Sequence, residues 1–220
     1  MNRYKKGFTL FEMMVSIGIF VMITTIGVLN YRKFGSDIFI SNLAYDMALT
    51  FRKAQSYGTN VRETRIGGTG SFDYAYGLHF NIDTASGGAK GKYYLFVDAY
   101  SPNSSSCTTA AQDAIYDELC LDNTISPPAP KELVETYTLL KNSQITSLCA
   151  TPVLTGVQDC TIKKLDITYL RPNPDAVIKN PSSIATEYSN AEIHITSADA
   201  REKKIIIYPV GQISVQSVTP

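Results

Sequence analysis

Between Phe8 and Leu29 the chain carries a single charged side chain, Glu12, in an otherwise apolar run preceded by Met1-Asn2-Arg3-Tyr4-Lys5-Lys6-Gly7. A helix needs roughly 20 apolar residues at about 1.5 Å each to cross a bilayer, and this run supplies them. Arg3, Lys5 and Lys6 lie ahead of it, so the positive-inside tendency holds the N-terminus in the cytoplasm and sends the remainder across. A carboxylate at membrane depth costs on the order of 2.5–3.5 kcal/mol, which makes Glu12 a residue that needs a partner.

A cleaved secretory signal has a similar outline, a basic start followed by an apolar stretch. Here the stretch exceeds the usual apolar region of about 7–15 residues, it contains Glu12, and no small-x-small cleavage site precedes Tyr31-Arg32-Lys33. The segment is therefore expected to remain on the protein as an anchor in the cytoplasmic membrane, with the residues after it extracytoplasmic.

Lys5-Lys6-Gly7-Phe8-Thr9-Leu10-Phe11-Glu12 resembles the leader junction of type IV prepilins and type II secretion pseudopilins. The shared features are a basic leader, a Gly-Phe junction, glutamate fifth after the junction and an unbroken apolar helix. The resemblance implies that a prepilin peptidase cuts between Gly7 and Phe8 and methylates the new amino group of Phe8. It further implies that Glu12 of one subunit pairs with the Phe8 amino terminus of a neighbour as helices stack into a filament. Two opposite buried charges offset part of each other's desolvation, whereas one alone is costly.

Past the span, Phe39, Leu43, Met47, Phe51 and Ala54 recur at spacings of four and three, on one face of a continuing helix. Asp37, Asp46, Arg52 and Lys53 fall on the others, and Gly58 is the expected stop. No proline interrupts this helix, so Gly18, Gly27 and Gly35 are its candidate soft points. The sequence divides into a leader at 1–7, a span at 8–29, an amphipathic continuation at 30–58 and a head at 59–220.

Within the head the periodicity changes to two. Strands are expected at Val61 to Ile66, Tyr74 to Ile82, Lys92 to Asp98, Leu133 to Leu140, Ile162 to Leu170, Ala191 to Thr196, Lys203 to Tyr208 and Gln212 to Gln216. Gly67-Gly68-Thr69-Gly70, Gly87-Gly88 and Pro209-Val210-Gly211 supply turns. One helix backed by antiparallel sheet is an α+β architecture. Two further segments carry a narrower resemblance, to minor pseudopilins of the GspH/FimT kind. They are Asp46 to Val61, which passes from helix into the first strand, and Lys203 to Val215, a closing hairpin with a Pro-x-Gly turn.

The stretch from about 98 to 160 matches no such pattern and holds all four cysteines, Cys107, Cys120, Cys149 and Cys160. Outside the cytoplasm disulfides are the expected state, and four cysteines allow three pairings. Cys107 with Cys120 and Cys149 with Cys160 is favoured, because near neighbours close short loops in chain that is rich in serine and proline. The close cysteine pairs of a zinc site are absent, and the acidic residues Asp113, Asp117, Glu118 and Asp122 lack a calcium-loop pattern. No metal or cofactor is expected.

Catalysis has little to stand on. His79 and His194 lie in alternating strands, where a sheet-surface histidine is the default, and no Gly-x-Ser-x-Gly elbow accompanies them. Arg201-Glu202-Lys203-Lys204 reads as a charged hairpin turn that keeps a sheet edge soluble. A phosphate-contacting patch built from Arg201, Lys203 and Lys204, with Arg62 and Arg65 near, is the sharper alternative. Once Arg3, Lys5 and Lys6 are lost with the leader, seventeen basic side chains face twenty acidic ones, a balance that does not favour nucleic acid.

The expectation is a non-enzymatic filament subunit, a minor pilin or pseudopilin of a type IV pilus or type II secretion pseudopilus. Its partners are the prepilin peptidase, other pilin subunits and the cytoplasmic membrane. The alternative is a filament-tip module that binds DNA, a surface or a secreted substrate.

Overall fold

The computed structural model describes residues 7–60, 64–66, 69–71, 74–99, 113–116, 121–122, 129–130 and 132–218. Contacts divide the chain into two units, Met1–Phe39 and Ile40–Pro220. The first contains the start of helix α1 (Leu10–Thr59) and the second its end, together with the strands.

In the first unit, helix runs through Gly18, Gly27 and Gly35 without a break, so the three glycines are not soft points here. The stretch Leu10–Val28 is long and apolar enough to cross a membrane, and its side chains are exposed on every face. With no hydroxyl acceptor available in hydrocarbon, its polar side chains turn inward: Ser16 Oγ donates to the Glu12 carbonyl at 2.7 Å and Thr25 Oγ1 to that of Val21 at 2.8 Å. Thr24 does the same with Phe20.

In the second unit, residues 40–59 of α1 bury Ile40, Leu43, Ala44, Met47, Phe51 and Ala54. These are the three-and-four-spaced residues of the sequence pattern with Ile40 and Ala44 added, a one-sided stripe that only a facing sheet can cover.

The strands are β1 (Thr64–Ile66), β2 (Thr69–Ser71), β3 (Ala75–Asn81), β4 (Lys92–Asp98), β5 (Leu121–Asp122), β6 (Ala129–Pro130), β7 (Leu133–Thr138), β8 (Gln144–Pro152), β9 (Asp159–Ile162), β10 (Lys164–Tyr169), β11 (Ala176–Lys179), β12 (Tyr188–Thr196), β13 (Glu202–Ile207) and β14 (Ile213–Ser217). Every pairing is antiparallel. One five-stranded sheet has the order β11-β10-β3-β4-β7, the other β14-β13-β12-β8-β9, and two short ribbons pair β1 with β2 and β5 with β6. The fold is α+β.

The helix packs on the first sheet through aromatic rings. Phe51 stacks on Phe80 at 5.8 Å between centroids, Phe80 on Tyr93 at 5.4 Å, and Tyr93 on Tyr137 at 5.0 Å, while Tyr57 meets Tyr76 edge-on at 5.6 Å. At Gly58 a Cβ would collide with the Tyr169 carbonyl oxygen, so glycine is required by the close passage of strand β10. The helix runs one residue beyond it, to Thr59, and the stop expected at Gly58 is instead a contact.

Several strands differ from the sequence pattern. The run Ile162 to Leu170 is broken at Lys163: β9 before it belongs to the second sheet and β10 after it to the first. Strands β8 and β11 carry no clean alternation, since β8 mixes small and polar residues with Leu148 and Cys149, and β11 has only four residues. Of the expected strand from Val61, only Thr64–Ile66 lies among the described residues.

Candidate functional site

Gly7, Phe8 and Thr9 precede the helix and Glu12 sits in its first turn. The backbone N–H of Glu12 donates to Thr9 Oγ1 at 3.2 Å, and the Thr9 N–H donates to Glu12 Oε2 at 3.5 Å. This reciprocal pair is a capping box, in which two otherwise orphaned helix-start donors find side-chain acceptors. The carboxylate is thereby held over the helix start, the electropositive end of the dipole. Phe8 and Phe11 stand 79% and 75% exposed beside it, and Gly7 is exposed as well, so both residues of the Gly7–Phe8 bond are uncovered. Thr-x-x-Glu is a helix-start signal legible in the sequence.

Elsewhere the structure disperses the singled-out residues. Cys149 of β8 and Cys160 of β9 form a disulfide that ties the edge strand to its neighbour. Cys107 and Cys120 lie outside the described residues, as does Arg62, and of the Arg65 side chain nothing is described. Lys204 Nζ lies 3.1 Å from Glu192 Oε2, Lys203 Nζ donates to Ser217 Oγ at 2.8 Å, and the Arg201 N–H donates to Ser197 Oγ at 3.2 Å. His194 stands between Glu202, 2.9 Å from Nδ1, and Glu192, 3.4 Å from Nε2. Glu202, Lys203 and Lys204 are thus the first residues of strand β13 rather than a turn, and the two lysines are tied to acidic and hydroxyl groups of their own sheet.

His79 is not on the sheet surface. It is 1% exposed, its Nδ1 lies 2.5 Å from Asp166 Oδ1, and the Tyr116 ring covers it at 4.8 Å. The Tyr116 N–H donates to the other Asp166 oxygen at 2.9 Å, and Asp98 accepts from the N–H groups of Asp113 and Ala114. Alternation cannot distinguish a face open to water from one roofed by another segment. Here residues 113–116 supply the roof, and burial pushes the Asp113 carboxyl above its usual range. No group of three or more metal-ligating side chains occurs among the described residues.

The polar clamp between helix and sheet was not foreseen. Lys53 Nζ lies 2.5 Å from Glu135 Oε2 and 2.9 Å from Tyr137 Oη, which itself donates to Glu135 at 2.8 Å. The Glu135 and Tyr137 partners raise the Lys53 pKa, and Lys53 holds the Glu135 carboxyl below its ordinary value. Nearby, Tyr93 Oη and Thr50 Oγ1 lie 3.2 Å apart, and burial pushes the Tyr93 phenol up to about 12. Further along, Gln55 Nε2 donates to the Pro174 carbonyl at 2.9 Å and an Arg52 guanidinium nitrogen to that of Gly211 at 3.3 Å. Gly211 has φ +78°, which the Pro209-Val210-Gly211 turn needs and glycine supplies.

The family model of the prokaryotic N-terminal methylation motif matches residues 2–28. That match supports a type IV pilin-like protein, a subunit of pilin or pseudopilin type that is processed by a prepilin peptidase and assembled with other pilin subunits. Neither curated proteins nor solved structures give a match to this chain.

Proposed function

We propose that the chain is a minor subunit, of the GspH/FimT kind, of a type IV pilus or type II secretion pseudopilus. The observation that carries the reading is the methylation motif on a helix whose stretch Leu10–Val28 is apolar on all faces and carries Glu12 as its one charge. The narrower assignment is supported by the meeting of the two segments that resemble this group: Arg52 of the helix reaches the turn at Gly211. In this reading the peptidase cuts between Gly7 and Phe8 and methylates Phe8. The apolar stretch anchors the subunit in the cytoplasmic membrane, and the head stands outside it.

Assembly then exchanges partners at Glu12. Among the described residues of one chain its carboxylate accepts the distant Thr9 N–H at 3.5 Å, near the outer limit of a hydrogen bond. A neighbour's Phe8 ammonium would offer a full charge in a medium without water, where such a pair holds far more firmly than at a wet surface. Mass spectrometry of the N-terminus in a host with an active prepilin peptidase should find a chain that begins at methyl-Phe8. A chain that still begins at Met1, or one cut after Leu29, would sink the reading. Glu12→Ala should leave the protein inserted and folded but poorly incorporated into filaments.

A further inference from the structure

The ends of the strands in the first sheet are unequal in charge. At one end β3 finishes at Asn81, β4 begins at Lys92, β7 finishes at Thr138 and β10 begins at Lys164. The connections there are drawn together by backbone hydrogen bonds. Ile82 N–H donates to Lys163 O at 2.9 Å, Leu139 N–H to Gly91 O at 2.8 Å, and Ile145 N–H, in the second sheet, to Lys90 O at 2.7 Å. This end therefore collects Lys90, Lys92 and Lys163, all exposed, with Lys141 and Lys164 beside them. The acidic residues near it are Asp83, whose carboxylate caps a short 3₁₀ turn, Asp46 on the helix, and Glu135, which Lys53 and Tyr137 hold. Asp98, Glu132 and Asp175 fall at the opposite strand ends.

The helix enters the head at the basic end. Thr50, Phe51 and Lys53 meet Tyr93, Phe80 and Tyr137, each within a residue of a strand terminus on that side, whereas Tyr57 and Gly58 meet Tyr76 and Tyr169 on the other. Residues 40–47, which precede Thr50, continue toward the lysines. Upstream, the membrane-length stretch ends at Val28, and the twelve residues from there to Ile40 reach at most about 40 Å. A bilayer that holds the stretch is therefore joined to Ile40 by no more than that length of chain.

We infer that the Lys90, Lys92 and Lys163 end of the head is a docking surface for anionic phospholipid headgroups, which holds the head down on the bilayer until assembly draws the subunit out. Lysines suit this role as mobile point charges with no geometric demand on their partner. A nucleic-acid surface fits less well, because the rings at this end are already engaged: Tyr93 and Phe80 are buried, and Tyr137 stacks on Tyr93 with Lys53 Nζ 5.5 Å from its centroid.

The inference rests on the membrane-anchored reading, and one experiment separates the two. The full chain is reconstituted into phosphatidylcholine vesicles with or without a minority of phosphatidylglycerol, floated, and labelled with an amine-reactive reagent read out by mass spectrometry. Flotation with both vesicles is the result expected of the anchor. Labelling of Lys90, Lys92 and Lys163 should slow about fivefold with phosphatidylglycerol present and recover in high salt. In Lys90→Gln/Lys92→Gln the protection of Lys163 should weaken. Flotation with equal labelling in the two vesicles overturns the lipid surface alone. Failure to float overturns the anchor and the lipid surface with it. Protection by added duplex DNA in neutral vesicles, without protection by phosphatidylglycerol, assigns the surface to nucleic acid and overturns the inference too.

Discussion

Leu10–Val28 and residues 40–59 belong to one helix, α1, yet they distribute apolar side chains in opposite ways. The first stretch is apolar on every face and covers none of it; the second is apolar on one face and buries nearly all of that face. A helix apolar all round is one whose surroundings come from outside the chain, and a striped helix is one whose partner the chain encodes. Stability of the head should depend on the second stretch alone, and assembly on the first.

Substitutions can break that division. Phe51→Ala should lower head stability by about 3–5 kcal/mol, since the ring is fully buried against Phe80. Phe20→Ala, 69% exposed in this chain, should leave the same denaturation midpoint unmoved. Equal losses from the two would show that the stretches are not independent. Replacing Cys149 and Cys160 by serine should cost about 2–4 kcal/mol, for the bridge closes a loop of sequence separation 11 and fastens an edge strand. Gly58→Ala should cost about 1–3 kcal/mol as the added carbon presses on Tyr169, whereas Gly18→Ala, with open space around it, should not affect the head.

The smallest effect belongs to the Lys53 clamp. Both of its charged ends are more than a third exposed, or nearly so, and solvent screening limits Lys53→Met to less than about 1 kcal/mol. Its pH signature is more specific. The folded Glu135 carboxyl titrates below its unfolded value, so its contribution is present above about pH 4.5 and is lost as pH falls through the folded pKa. Tyr93 behaves oppositely: with the folded phenol raised from 10.0 to about 12, its stabilisation is complete below pH 10 and disappears as pH rises through about 12. Acid and alkaline denaturation curves should lose these features separately in Glu135→Gln and Tyr93→Phe.

What the sequence disclosed follows the same line. The span, Glu12 and the stripe through Met47 and Phe51 were legible because one period governs many residues. β4, from Lys92 to Asp98, was legible at both ends. The transfer of the chain between sheets at Lys163 was not, because β9 and β10 together form one run of strand-like residues and only pairing across the fold divides it. Gly58 and His79 were misjudged for a related reason. What each touches, the Tyr169 carbonyl or the segment carrying Tyr116, lies far along the chain. Within the candidate site the Thr9 cap was readable from spacing, while the lysines at the entry end gather only once the strand order is known.

The bond from Arg52 to the Gly211 carbonyl spans a sequence separation of 159. Its significance is temporal. The chain emerges from the ribosome N-terminus first, so the apolar stretch and the apolar stripe of residues 40–59 exist well before the hairpin of β13 and β14 that closes against the helix. Contacts so distant in sequence form late and slowly. Until the last strands are in place the stripe stays uncovered, and the interval before closure is when this head is most exposed to proteases and to mispairing with its neighbours.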